Sequence, residues 1–345
     1  MHRYSPLLFA AFALAISLGS SGCYLSRVAV GQTRLLLARE PIDSVLNDPE
    51  TPTEIRERLE LVGRAREFAT GLGLDVGGQY TSFVAWPGDR IITTVVATRP
   101  REVAPAGFWF PVVGKLPYKG FFDPQRAATE AARLREEGMD VCEFGVRAYS
   151  TLGWMDDPIT GPMLRRESGE LLETILHELV HATVYEPNHV DFSEGVANFI
   201  GQEGSVRFYQ VAGEPERARQ RRSEITDDRH LKSELLRFRE QVSALYANSS
   251  DDPEPQRRAL ERAVRERIAT LPLANQDAAV VASRLRLNDA CLALIGTYSS
   301  DIERYAARLQ QLAGDLPRFV ALLEASADAD DPKSALLEPG PIDPH

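Results

Sequence analysis

Cysteine is scarce in this chain, with three residues among 345. Cys23 belongs to an N-terminal segment considered below. That leaves Cys142 and Cys291, and a pair so far apart reads as two small buried hydrophobes. Basic residues are outnumbered: 39 Lys and Arg stand against 50 Asp and Glu, a net charge of −11. Phosphate binding needs a basic face, so nucleic acid is excluded as the main partner. The acidity itself implies no special function, because a soluble surface carries this much negative charge. No unit of 20–50 residues repeats, which excludes a solenoid or propeller. No apolar run is long enough for a membrane-spanning helix. What is present is a 43% hydrophobic, 26% charged composition, that of a globular chain with a sizeable core. The length allows one large domain or two ordinary ones.

The chain starts "MHRYSPLLFAAFALAISLGSSGC". His2 and Arg3 precede an apolar run from Leu7 to Leu18, and small residues then lead to Cys23, which is the layout of an export signal. The last four residues resemble the bacterial lipoprotein box, in which the Cys becomes the lipid-bearing first residue; Ser20 stands where an aliphatic residue is usual. Residues 1–22 are therefore expected to be a signal peptide. The mature protein is expected in the cell envelope (the periplasm), anchored to the membrane by lipid on Cys23.

Beyond the signal, "TPTEIRERLELVGRAREFATGLGL" places Ile55, Leu59, Val62 and Ala65 on one helical face. Thr51 and Glu54 form a capping box around Pro52, and Gly71 is the stop. Between about 79 and 151 the period changes to that of strands. "QYTSFVAW" and "RIITTVVATR" read as a hairpin joined by Pro87-Gly88-Asp89. "FWFPVVG", "YKGFF" and "DVCEFGVRAYS" are further strands, with a helix across 124–137. From about 170 to 328 the pattern is helical, with stretches at 205–247, 253–270, 285–312 and 315–326. Residues 329–345 read as a polar, Pro-rich, disordered tail. The expected fold is α+β: a single domain over 23–328 with a strand-rich front, a central helix and a helical back.

That central helix carries "HELVH", with His177 and His181 four apart. Positions so spaced lie about 40° apart around a helix axis, so the two imidazoles share a face. Leu172, Ile175, Leu176, Leu179 and Val180 mark the helix as buried, and two buried imidazoles need partners. A zinc ion satisfies both, and Glu178 is then placed as general base, the reading of H-E-x-x-H as two ligands plus a base. A catalytic zinc needs a third protein ligand. Val184 and Pro187 stand where a metzincin would have Gly and His. Glu194, Asp191, His189 and Glu203 remain, and Glu194 is favoured because Glu194, Ala197 and Gly201 recur at i, i+3 and i+7. Small residues under the carboxylate let its helix pack closely on the first. His189, in the connecting loop, reads as a surface or substrate-facing residue, and Ser193 as the cap of the second helix.

With these motifs in place the chain resembles a family of exported bacterial zinc aminopeptidases. The resemblance rests on "VGQTRLLL" (30–37), "FPVVGKLPYKGFF" (110–122), "AYSTLGWMDDP" (148–158), "HELVHATVY" (177–185), "FSEGVANFIG" (192–201) and "LNDACLALIGTYSS" (287–300). It implies a zincin-like, gluzincin-type peptidase holding one zinc on His177, His181 and Glu194, with a peptide as substrate. Tyr149, Tyr185 and Tyr298 are candidate donors to a tetrahedral oxyanion. An edge strand within 108–122 could hold an extended peptide. The alternatives are a catalytically inactive envelope scaffold or binding protein, and a zinc endopeptidase.

Overall fold

The computed structural model describes residue 24 and residues 26–110, 114–148, 156–249, 251–295 and 301–338. Helix α1 covers 26–37. Strand β1 (Glu40–Pro41), α2 (Ile42–Asn47), α3 (Thr53–Gly71), β2 (Ser82–Val84) and β3 (Ile92–Thr98) follow. Next come β4 (Phe108–Phe110), β5 (Gly114–Leu116), β6 (Lys119–Phe121), α4 (Pro124–Glu136) and β7 (Asp140–Val146). β8 (Ile159–Thr160) and the single turn α5 (Gly161–Leu164) lead into α6 (Ser168–Thr183) and α7 (Val190–Val211). The back of the molecule is α8 (Pro215–Asn248), α9 (Glu254–Ala269), α10 (Ala278–Arg284), α11 (Asp289–Leu292), α12 (Ile302–Gln311), α13 (Leu316–Ser326) and α14 (Pro332–Leu337). The fold is α+β, with small sheets in front and helices behind.

The expected hairpin does not form. β2 pairs antiparallel with β1 and parallel with β8, whereas β3 is the middle strand of a second sheet, antiparallel to both β6 and β7. Pro87-Gly88-Asp89 thus links two sheets. Alternation marks an extended chain but does not name its partner. As a central strand β3 is buried on both faces, and Val95 and Ala97 pack on Ala127, Ala131 and Leu134 of α4. β4 and β5 make a separate two-stranded pair.

α3 starts at Thr53 with no side-chain cap, and the Thr51 hydroxyl donates to Val45 O (2.7 Å), tying α3 to α2 where the sequence suggested a capping box. The helix does stop at Gly71. α3, α6 and α7 share the main core, closed from behind by α12 and α13, where Phe199 of α7 packs on Tyr305 and Phe319. α8, α9 and α10 enclose a second apolar cluster around Phe238, Val242, Val264 and Ile268.

Two expectations about the periphery change. Cys142 and Cys291 form a disulfide. α11 is seated on the edge of β7, where Asn288 Nδ2 donates to Val141 O (2.9 Å) and Asp289 N donates to an Asp140 carboxylate oxygen (3.2 Å), which brings the two sulfurs together across 149 residues of sequence. The polar tail also folds as far as residue 338. Asp331 caps α14 by accepting from Ser334 N (3.1 Å), Leu336 is only 1% exposed, and Leu336 O accepts from buried Arg308. An Asp-Pro pair reads as loop by composition, yet it is also how a helix begins.

Candidate metal centre

α6 is held in the core by Leu171, Leu172, Ile175, Leu176, Leu179 and Val180, none of them solvent-exposed. That stripe fixes the helix rotation and presents His177 and His181 at its edge. α7 runs back along α6, and glycines set how closely. A Cβ on Gly201 would lie 2.8 Å from Glu173 O and 3.4 Å from the His177 Cβ, and one on Gly204 would lie 2.8 Å from a Leu176 methyl. Ala197 is fully buried in the same seam. The i, i+3, i+7 reading of Glu194, Ala197 and Gly201 therefore has its counterpart in the packing. Ser193 does not cap α7, which begins at Val190; from inside the helix its hydroxyl accepts from Glu186 N (2.9 Å) and ties down the preceding loop.

Glu194 is thereby brought to the histidine pair. His177 Nε2 and His181 Nε2 are 3.1 Å apart, and each lies 3.5 Å from a different Glu194 oxygen. Ligand atoms in a tetrahedron with bonds of about 2.0–2.1 Å stand roughly 3.3 Å apart, so the three donors have the spacing and chemistry to hold a zinc-sized ion. His181 is buried, while the side chains of His177 and Glu194 are 16% and 15% exposed, so the cluster opens on one side. Burial pushes the Glu194 carboxyl up, but hydrogen bonds from His177 and His181, with their charge, outweigh it and hold its pKa at about 2. Burial opposes protonation of His177, and Glu194 and Glu178 reverse this and raise its pKa. Of the other third-ligand candidates, His189 stands just before α7, and Glu203 is paired with Arg222 and Arg229. Among the described residues the cluster that could hold a metal ion is His177, His181 and Glu194.

Glu178 lies close enough to His177, Tyr80 and Arg166 to act on the ionisation of each. Tyr80 is buried with φ 59°, the left-handed region that a bulky residue rarely adopts. Burial, then the charges of Glu178 and Asp157, raise its phenol well above the ordinary range. On the Glu194 side are Tyr185, edge-on to the His181 ring at 5.6 Å between centroids, and Tyr118, half-exposed just before β6. Desolvation and then Glu194 raise both phenols. Sequence reasoning singled out Tyr185 but missed Tyr118 and Tyr80. Tyr118 stands in the quoted 110–122 block at the start of a strand, and Tyr80 in "QYTSFVAW", which was read only as a strand. The peptide-holding edge expected in 108–122 divides into the β4–β5 pair and edge strand β6, where Gly120 O already accepts from Tyr24.

A cavity of about 570 Å³ begins one turn beyond Glu194, at Asn198, and runs between α7 and α8 past Gln202, Lys232 and Arg237 to Glu240 and Ile302. Asn198 Nδ2 donates to the main-chain Glu194 O one turn back (2.9 Å), and the three donors themselves are not among the residues lining the cavity. Tyr149, Tyr298, Cys23 and the signal segment lie outside the described residues. No curated protein and no solved structure matches the chain. The family model described as "Putative aminopeptidase" matches residues 23–336, most of the length, and the chain belongs to that family.

Proposed function

We propose that this protein is a zinc-dependent peptidase that removes residues from peptide N-termini, with one zinc held by His177, His181 and Glu194 and with Glu178 as general base. The observation that carries the reading is the donor triangle of 3.1, 3.5 and 3.5 Å, open on one side, with a carboxylate that is not a ligand next to it in sequence. Zinc, when bound, supplies Lewis-acid polarisation of the scissile carbonyl and of water. Glu178 takes the proton from the attacking water and returns it to the leaving amine. Arg166 and Tyr80 lie within electrostatic reach of that carboxylate. Tyr118 and Tyr185 offer phenol donors beside Glu194 where an oxyanion would develop. Export and lipid attachment at Cys23 complete the proposal; the Cys142–Cys291 bond supports an oxidising compartment.

The test couples metal analysis of purified protein with peptide hydrolysis by the natural chain and Glu178→Gln. The substitution keeps side-chain size and leaves the ligands alone. The expected result is about one zinc per chain in both proteins, with hydrolysis lowered at least ~10²-fold in the variant. Absence of hydrolysis by either protein would turn the reading into a binding or scaffold role. Equal cleavage of free and N-acetylated peptides would leave a zinc endopeptidase.

A further inference from the structure

None of the 50 acidic residues falls before Glu40. The whole of α1 lies in that acid-free stretch, with Arg27 and Arg34 in the helix and Arg39 just after it, in a chain whose net charge is −11. Its inner side is well seated. Gly31 leaves room for the Phe122 ring, which a Cβ would strike at 2.2 Å, and Leu35 is fully buried; at the border of the two sides Arg34, itself exposed, carries its guanidinium 5.4 Å from the Trp86 ring centroid. The outer side is unusual for a surface helix. Val30 is 68% exposed and Leu37 82% exposed, with Arg27, Ala29, Thr33, Arg34 and Ala38 exposed between and around them. Val30, Thr33, Arg34, Leu37 and Ala38 recur at i, i+3, i+4, i+7 and i+8, which is one face of a helix, and together they line a shallow surface groove. An outer face made of aliphatic residues and arginines, with no acid to pair them, is suited to the boundary between acyl chains and anionic headgroups.

The position of the preceding chain names the occupant. The apolar run from Leu7 to Leu18 and Cys23 come immediately before α1. Tyr24 is seated between Phe110 and Phe121, at 5.3 and 5.6 Å, and its hydroxyl donates to Gly120 O (2.8 Å). Any membrane attachment through Cys23 therefore joins the folded body without a linker. Trp109, 67% exposed, is the neighbour of the Phe110 that stacks on Tyr24, and tryptophan favours the headgroup level. We infer that the exposed face of α1 lies on an anionic phospholipid bilayer, with Arg27 and Arg34 among the phosphates and Val30 and Leu37 at the acyl boundary. This contact goes beyond the peptidase reading and does not require lipid on Cys23.

Amide hydrogen exchange of the purified full-length protein, mixed with vesicles of phosphatidylglycerol or of phosphatidylcholine, tests it. Exchange in residues 26–38 should slow on phosphatidylglycerol and much less on phosphatidylcholine, with α8 and α9 unchanged. Each basic side chain near an anionic surface changes partitioning roughly fivefold, so Arg27→Glu with Arg34→Glu should weaken the vesicle effect by more than about tenfold. Val30→Ser with Leu37→Ser, which leaves the charges alone, should also weaken it. A lipid on Cys23 acting alone would bring the protein to both kinds of vesicle without telling them apart, so failure of the anchor and failure of this contact give different results. Exchange indifferent to lipid charge, or unchanged by both double substitutions, would overturn the inference and assign the face to a protein partner or to solvent.

Discussion

At the residue scale, the proposed third ligand position separates Glu194 from His189. Both follow the histidine pair closely, but Glu194 reaches both Nε2 atoms while His189 stands just before α7, outside the donor group. Glu194→Ala should lower zinc affinity by more than the 10–100-fold that changes to outer partners cost, and His189→Ala should leave it unaltered; zinc content after dialysis reads both. The opposite pattern would move the ligand to His189. A second residue-scale prediction concerns Asp227 of α8, whose carboxylate accepts from Ala274 N, Asn275 N and Asn275 Nδ2 at 2.8–3.0 Å. Burial pushes its pKa up, but these donors outweigh burial and depress it below the ordinary 3.8. Depression means that the stabilisation is complete above the ordinary carboxylate value and is lost as pH falls through the folded one. Asp227→Ala should therefore cost about 2 kcal/mol at neutral pH, and the gap from the natural protein should close below pH 3.8. A gap that persists at low pH would mean that the charge of Asp227 is not what holds the 274–275 turn.

At the scale of elements, the close approach of α6 and α7 builds the cluster, and Gly201 sets that approach. Gly201→Ala would place a methyl 2.8 Å from the Glu173 backbone oxygen. Neither helix backbone can yield locally, so α7 must move out and take Glu194 with it. Overpacking of this kind costs about 1–3 kcal/mol, and the variant should lose zinc together with stability. Gly63→Ala is the comparison. It lies inside α3 with nothing within 4 Å of the added methyl, so helix propensity alone acts and should stabilise by up to ~1 kcal/mol. Chemical denaturation of the two variants should give shifts of opposite sign; shifts of the same sign would remove the packing argument. Elements also explain where pattern reading fell short. The helices over 53–71, 124–136 and 254–269 were legible because each keeps an amphipathic period. The pairing of β2 with β8 was not, because the partner strands are 75 residues apart and only two residues of β8 take part.

At the scale of the whole molecule, the Cys142–Cys291 bond joins the strand-rich front to the helical back across 149 residues of sequence. Loop closure over such a length gives an entropic stabilisation of about 5 kcal/mol, and native disulfides typically deliver ~2–5. Replacing both cysteines with alanine should lower the free energy of unfolding within that range, with the proposed zinc site intact at low temperature because its donors lie on α6 and α7 whereas the bond joins β7 to α11. An unchanged denaturation midpoint would show that α11 is held without it by Asn288 and by Asp289, whose carboxylate accepts from Arg257 of α9 (3.2 Å).

Sequence by itself named the candidate donors of the centre. Residues four apart on a helix must share a face, and buried imidazoles must find partners, so His177, His181 and their neighbour Glu178 were readable from local spacing. Glu194 was half-readable: the small residues beneath it indicated close packing, but the distance to the histidines depends on a loop whose path local pattern does not contain. Tyr118 and Tyr80 come to the site from 59 and 97 residues before His177, and no short-range period records such an approach. The disulfide, the sheet partners and the folding of 332–337 were likewise decided only by the tertiary structure. Each depends on which distant surface a segment meets, and that is settled by burial across the whole core.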